Sequence, residues 1–224
     1  MLMNNVITCL ALLALITSIH QLKAKLEPNN VIELDGAVEV SRASDNWLKV
    51  SVPFLVKSHP GMKALDGRKP SSMEELFNPE YLNNLNIKIT ICFRNDFKRK
   101  YVRGDKGDIQ FNDYYSAELE VKVLKVDRST KTAHFLFPTI IAERDEYAGS
   151  TPKPNGYVVE FSRDGEAFNV SDSVVFEKYS SEDILEKFKS EAISKSIKNK
   201  GILIPAHLVD ASNLRNLGPV AWEF

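Results

Sequence analysis

The chain has 224 residues, of which 43% are apolar and 26% are charged, and its formal net charge is −1. This is the composition of an ordinary globular protein, large enough for one good core or two small ones. The charge balance argues against a nucleic-acid partner, which would require a basic face.

The chain begins with an uncharged apolar run at residues 6–19. The run is shorter than the ~20 residues that cross a bilayer, but it fits a signal peptide cleaved after Ala24. We therefore predict export to the periplasm, the cell surface or the extracellular space, with no membrane span after removal of the signal. An uncleaved anchor is the alternative, because no Lys or Arg precedes the run and Leu22 is large for its place before the cut.

Cysteine content predicts a fold without disulfides. Cys9 lies in the predicted signal peptide, which leaves Cys92 as the single thiol of the mature chain. One cysteine cannot form an internal bridge, so the fold must rely on its core. Cys92 falls within a predicted strand, where we expect an inert buried thiol.

Two strands are predicted first. Residues 31–40 have strand composition, and Asp35-Gly36 within them indicates a tight turn or a bulge. Residues 47–57 alternate between apolar and other residues, which predicts one buried face formed by Leu48, Val50, Val52 and Phe54. Pro53 indicates an edge strand or a bulge. Trp47 is expected to anchor the core.

A long excursion at residues 59–85 separates these strands from the next. Pro and Gly punctuate it, and a capping-box sequence at Ser72 predicts a short helix through Phe77. Residues 87–93 then alternate as a third strand. The following loop, 94–112, contains Arg103-Gly104-Asp105, which we interpret as turn chemistry and not as an adhesion motif, because so short a tripeptide arises by chance.

The most sheet-like stretch is Tyr114–Glu143. Two alternating runs flank a polar turn at residues 127–131, which predicts a β-hairpin. Pairing Val126 with Thr132 would place Val123 opposite Phe135 and align both apolar faces.

The last third of the chain predicts a hairpin and one long helix. A strand at 157–161 ends at Asp164-Gly165, a strong turn signal, and residues 168–176 are its expected partner. The pattern then predicts a helix over 181–200, capped by Ser180 with Asp183, that packs in two ways or bends near Ala192. Residues 202–204 form a final short strand, and 211–224 an irregular tail.

Together these elements predict a mainly β fold. We expect an immunoglobulin-like antiparallel β-sandwich of about seven strands, with one C-terminal helix and a short helix in an inter-strand insertion. The predicted organisation is a signal peptide at 1–24, a sandwich domain at 25–210 that includes helix 181–200, and the tail at 211–224.

No motif for catalysis or for cofactor binding is found. His59, His134 and His207 have no Cys, His or carboxylate at metal-ligand spacing, and phosphate-binding or nucleophile-elbow patterns are absent. We predict no catalytic residues, no metal, no cofactor and no enzymatic activity. A Ser-His-Asp triad assembled in space would not be visible in the sequence.

Four segments carry a family resemblance. They are WLKV at 47–50, AELEVKVLKVDRSTKTAHFLFP at 117–138, PNGYVVEFSRDGE at 154–166 and FKSEAISKSIKNKGILIPAHLV at 188–209. In order and pattern these resemble exported pilus-like proteins of verrucomicrobial bacteria of the Akkermansia type. The resemblance implies an immunoglobulin-like fold, association with type IV pilus components, and no catalytic residues.

One departure from ordinary type IV pilins bears on assembly. After Ala24 the sequence continues KLEPNNVIEL, without the long apolar helix of such pilins and with Asn29 where they carry Glu. Assembly would therefore have to use sheet edges or sandwich faces, including self-association by strand addition.

Two functions remain open from the sequence. The first is a non-enzymatic structural or interaction protein of a pilus-like or envelope assembly. The second is a periplasmic or surface glycan-binding module that uses the loops at 59–85 and 94–112. Tyr81, Phe97 and Tyr101 are the possible rim contacts: clustered in a groove they would favour sugar binding, and buried they would favour the structural role.

Overall fold

Two antiparallel sheets dominate the computed structural model, which describes residues 31–65, 67–73, 76–101, 111–177 and 179–209. The strands are β1 (Ile32–Leu34), β2 (Glu39–Arg42), β3 (Trp47–Val56), β4 (Tyr81–Arg94), β5 (Asn112–Lys125), β6 (Lys131–Pro138), β7 (Gly156–Arg163), β8 (Glu166–Phe168), β9 (Val174–Phe176) and β10 (Ile204–Pro205). The helices are α1 (Pro60–Leu65), α2 (Asp96–Tyr101), α3 (Thr139–Arg144) and α4 (Glu182–Ser196).

The two sheets pack face to face over one large apolar cluster. Sheet A has the order β1-β3-β6-β10, with β2 also paired to β3, and sheet B has the order β5-β4-β7-β8, with β9 also paired to β7. The predicted mainly β sandwich with a C-terminal helix is confirmed, and it is consistent with the immunoglobulin-like class. More strands are present than the seven predicted, because two of the predicted strands are interrupted.

The predicted central hairpin is wrong. β5 pairs with β4 in sheet B, whereas β6 pairs with β3 and β10 in sheet A. Val123 lies opposite Asn83, and Phe135 lies opposite Val50. Alternation determines which side chains face the core, and two strands that face each other across a sandwich satisfy it as well as two strands in one sheet. The turn at 127–130 therefore crosses between the layers.

A bulge separates β1 from β2. Leu34 pairs with Phe54 and Glu39 with Ser51. The chain therefore advances five residues from β1 to β2 while β3 advances three. Gly36 has a φ of 119° in this bulge, a conformation that favours glycine. The predicted bulge is therefore confirmed. Pro53 lies opposite it in a strand that is paired on both sides, so the edge-strand alternative is wrong.

Trp47 does not anchor the core between the sheets. Its side chain is half-buried and packs on the outer face of sheet A with Ala43, Leu136 and Ala206. The cause is alternation: Leu48 is the residue whose side chain points inward, so its neighbour must point outward. The predicted inward face of β3, from Leu48 to Phe54, is fully buried.

Alternation also fails near the end of β5. Asn84 in β4 has a φ of 56°. At this position, the side chains of β4 and of its partner β5 exchange their inward and outward faces. Leu82 and Leu124 therefore join the core, while Val123 is 46% exposed. Because left-handed backbone at a non-glycine residue is uncommon, the sequence pattern could not reveal this change of face.

Helix α4 covers part of the outer face of sheet B. Phe188 and Ala192 pack on Cys92, Tyr114 and Phe176, as the apolar stripe of the helix predicts. The helix ends at Ser196 and continues as a 3-10 turn over Ile197–Asn199. Ser181 is the N-cap, and no side chain caps the helix there.

Ile193 and Ile197 are exposed, so the predicted packing of this helix on two sides is wrong. The Asp164-Gly165 turn is confirmed, with both residues at positive φ, and β8 and β9 are the interrupted partner of β7.

Several predictions lie on or beside residues that the structure does not describe. The signal peptide with Ala24, the Arg103-Gly104-Asp105 tripeptide and the tail at 211–224 are outside the described residues. So are Glu74 and Glu75 of the helix predicted at 72–77, and the described positions beside them are not helical. Among the described helices, none has the length and apolar character needed to span a membrane.

Candidate functional site

Buried polar groups gather at the end of the sandwich where β4 ends and β5 begins. The Tyr115 and Tyr147 hydroxyl oxygens are 2.6 Å apart. The Tyr147 hydroxyl also lies 3.2 Å from Asp113 Oδ2 and 3.4 Å from Asp145 Oδ2. Since a carboxylate only accepts, Tyr147 donates to a carboxylate and Tyr115 donates to Tyr147. We call Asp113, Tyr115, Asp145 and Tyr147 the tyrosine–aspartate network.

Each carboxylate of this network has a cationic partner. Lys98 Nζ lies 2.5 Å from Asp113 Oδ1, and Arg144 binds Asp145 through two contacts of 3.0 and 2.6 Å. Asn95, fully buried, adds a 2.5 Å hydrogen bond to Asp113 Oδ2. Buried charges are tolerated when paired and hydrogen-bonded in this way, which assigns the network a structural role in closing this end of the sandwich.

Burial keeps both tyrosines of the network protonated. Loss of solvation raises the pKa of Tyr115 to about 12, and the pKa of Tyr147 is raised further because Tyr115 and both aspartates also lie close. Neither hydroxyl is therefore poised to act as a base near neutral pH.

We expect stability to fall under alkaline conditions. The unfolded chain loses tyrosine protons above about pH 10, whereas the native state retains them. The contribution of the protonated tyrosines to stability is thus complete below about pH 10 and is lost as the pH rises towards about 12. Urea unfolding across this pH range measures the free energy of unfolding. Tyr147→Phe should make the decline shallower, while an identical pH dependence in this variant would contradict the assignment.

A cavity of about 390 Å³ opens beside the network. Its lining includes Arg94, Tyr147, Thr151, Lys153 and Asn155, and we call it the Arg94 cavity. Arg94 and Lys153 are the charged residues of the lining, so the cavity wall is cationic. Arg94 Nε is buried and lies 3.3 Å from Asp96 Oδ1 without an aligned hydrogen bond.

A second concavity of about 400 Å³ lies next to α2 and is lined by Asp96, Arg99, Lys100 and Glu146. Lys100 and Glu146 form an ion pair across it. Positive and negative groups are balanced here, so this concavity does not favour ligands of one charge.

The predicted rim residues fall at two opposite ends of sheet B. Phe97 and Tyr101 lie together on α2, with ring centroids 4.8 Å apart, and both are exposed. Tyr81 is also exposed, but it begins β4, whereas α2 follows the end of that 14-residue strand. Sequence reasoning therefore identified two residues that meet and one that does not. It missed the tyrosine–aspartate network, which no spacing in the sequence indicates.

Two of the described histidines, His59 and His134, have side chains with identified partners. His59 is buried against Phe77, and its Nδ1 accepts a 3.0 Å hydrogen bond from the Gly61 N–H. His134 Nδ1 lies 3.1 Å from the Ser51 hydroxyl on the outer face of sheet A. Burial lowers the pKa of both imidazoles.

The Ser51–His134 pair is the nearest approach to a nucleophile and its base. The charged group that most affects the imidazole is Lys49, a cation, whereas a triad requires a carboxylate there.

The remaining candidate nucleophile, Cys92, occupies a structural position. Cys92 is fully buried on the face covered by α4, and desolvation raises the pKa of its thiol well above the usual value. In the part of the chain that the structure describes, no three His, Cys, Asp or Glu side chains converge on a possible metal position.

The outer edge of β5 is the other surface feature with functional potential. The strand has 14 residues and pairs with β4 along its inner side. Near its start the Tyr114 carbonyl accepts a hydrogen bond from Asn199 Nδ2, which closes that end. Beyond this point no strand among the described residues pairs with the outer edge.

Comparison with known proteins yields a structural neighbour. A crystal structure of a protein from Akkermansia muciniphila aligns with a TM-score of 0.46 at 12% sequence identity, covering 74% of this chain and 81% of that chain. No protein-family model and no curated protein matches the chain. The class of protein, an antiparallel β-sandwich with one helix on its outer face, is defined by the strand pairing itself.

Proposed function

We propose that this chain is an exported, non-enzymatic structural or interaction protein of a pilus-like or envelope assembly, and that it associates through the outer edge of β5. The observation that carries the proposal is the contrast between this edge and the other sheet edges. A long edge strand presents a row of unpaired N–H and C=O groups to which another strand can add.

The remaining edges are poorly suited to strand addition. A bulge interrupts the edge formed by β1 and β2, and a gap at residues 169–173 interrupts the edge formed by β8 and β9. At the far edge of sheet A, β10 has two residues. Short and bulged edges are the usual devices that prevent strand addition.

The geometry of β5 identifies which backbone groups are available. In an antiparallel strand, the N–H and C=O of a residue point to the same side, and the side alternates from residue to residue. Because the Tyr114 carbonyl bonds to Asn199 and so points outward, the groups of Ser116, Glu118 and Glu120 also point outward.

Charge favours a second copy of the chain as the partner. Glu120 and Lys122 are exposed on this edge. In an antiparallel two-fold arrangement centred on Val121, each Glu120 lies opposite Lys122 of the other copy, so unlike charges meet twice. The same charges keep the edge soluble and disfavour partners with a different pattern.

Two further considerations support a structural role. The four sequence segments at 47–50, 117–138, 154–166 and 188–209 resemble exported pilus-like proteins. The side chains of the tyrosine–aspartate network are paired with one another and with cations, and the Ser51–His134 pair has a cationic neighbour.

We expect Glu120→Pro to abolish self-association with little effect on folding. Proline removes an N–H that points away from β4, so the ladder with β4 is retained while the outer edge is blocked. The dissociation constant of the dimer should rise at least about tenfold, measured by sedimentation velocity over a wide range of concentration.

Glu120→Ala is the matched control, because it removes the same side chain but keeps the N–H. It should leave most of the self-association intact. If the unmodified protein is monomeric at every concentration, or if both variants associate as it does, the proposed edge contact is wrong.

A further inference from the structure

We propose that the Arg94 cavity binds a carboxylate-bearing saccharide, a ligand function beyond the structural role proposed above. The cavity volume of about 390 Å³ lies within the range of small-molecule sites, roughly 300–1,000 Å³. Its charged lining residues, Arg94 and Lys153, are both cations.

Arg94 has unused capacity for hydrogen bonding. Its guanidinium is a planar donor suited to a carboxylate. Asp96 lies 3.3 Å from Nε, but the two groups are not aligned for a hydrogen bond, and Nε has no other partner among the described residues. Because Nε itself is closed off from solvent, a carboxylate in the cavity would bind the other N–H groups of the Arg94 guanidinium.

The loop that carries Lys153 is held in shape before any ligand arrives. Pro152 and Pro154 flank Lys153 and fix two backbone dihedrals, and the residue before a proline is restricted to extended conformations. Asn155 ties the end of the loop to β4 through a 2.9 Å hydrogen bond from its N–H to the Cys92 carbonyl. A loop already ordered in this way loses little entropy on binding.

The aromatic residues of α2 indicate a saccharide. The Phe97 N–H donates to the Asp145 carbonyl, two residues before Tyr147 of the cavity lining, so α2 lies beside the cavity. Phe97 and Tyr101 expose adjacent rings on this helix, outside the cavity lining itself, and Tyr101 is 72% exposed. Exposed rings offer apolar faces for the C–H surface of a sugar ring, while Thr151 and Asn155 offer polar groups for its hydroxyls.

Isothermal titration calorimetry with trigalacturonic acid tests the proposal, with its methyl ester as the uncharged counterpart. The acid should bind at least about tenfold more tightly than the ester, because the ester cannot form the charge-assisted bonds to Arg94 and Lys153. Equal affinity for the two, or no binding of the acid, would overturn the proposal.

Variants locate the binding. Lys153→Gln should weaken binding of the acid about tenfold, whereas Lys69→Gln, an exposed lysine outside the cavity lining, should not. Tyr101→Ala should weaken binding of the saccharide without changing the binding of acetate, and Tyr81→Ala at the opposite end of β4 is its control. Unchanged affinity in both Lys153→Gln and Tyr101→Ala would place the ligand elsewhere and contradict the proposal.

Discussion

Replacing Phe137 by alanine is expected to lower the free energy of unfolding by about 3–5 kcal/mol, the largest effect of any single change considered. Phe137 is fully buried, and its ring centroid lies 4.8 Å from that of Tyr115 and 5.2 Å from that of Phe93. It therefore connects β6 of sheet A to β4 and β5 of sheet B. Truncation removes apolar contacts on both sheets and leaves a cavity that the packed rings cannot fill.

Ile140→Ala is the matched control, because Ile140 lies three residues further along the chain and is 70% exposed. Its cost should stay within about 0.5 kcal/mol. Urea unfolding followed by circular dichroism measures both variants. A cost below about 1 kcal/mol for Phe137→Ala would contradict the placement of this ring between the sheets.

Replacing Gly156 by alanine is the second large effect, with an expected cost of about 2–3 kcal/mol. A Cβ at this position would lie 2.6 Å from the Val175 carbonyl oxygen, 2.8 Å from Phe188 Cζ and 3.0 Å from Phe176 Cδ2. The glycine therefore allows β7 to approach both β9 and helix α4. We expect the helix to be displaced from sheet B, with a reduced near-ultraviolet circular dichroism signal.

A double-mutant cycle tests the cause of this cost. Phe188→Leu removes the ring atom that the new Cβ would meet, so Gly156→Ala should be less costly in that background, by at least about 0.5 kcal/mol. Additive effects of the two substitutions would mean that the helix does not pack against this glycine.

Alternation in the sequence predicted the inward faces of the strands well. The residues of β3 from Leu48 to Phe54 and those of β4 from Ile87 to Phe93 are buried where the pattern placed them. The pattern failed to predict the partner of β5, because facing strands in two sheets and paired strands in one sheet share the same periodicity. The left-handed backbone at Asn84 also exchanges the inward and outward faces of β4 and β5. The periodicity of the sequence does not reveal such an exchange.

The candidate sites were less predictable than the fold. Phe97 and Tyr101 were identified only as aromatic residues of a predicted loop, and they meet because this segment forms helix α2, on which residues four apart share one face. Tyr115 and Tyr147 are 32 residues apart, and they meet because β5 and the segment after α3 converge at one end of the sandwich. The cationic wall of the Arg94 cavity likewise joins the end of β4 to a distant loop. Contacts of this kind depend on topology, which the sequence left open.

Amide hydrogen exchange of β5 as a function of protein concentration tests the proposed assembly most directly. The N–H groups of Ala117 and Leu119 point towards β4 and should be protected at every concentration. The outward N–H groups of Ser116, Glu118 and Glu120 should exchange rapidly in dilute protein and become protected as the concentration rises. Rapid exchange of these three amides at all concentrations would contradict strand addition at this edge.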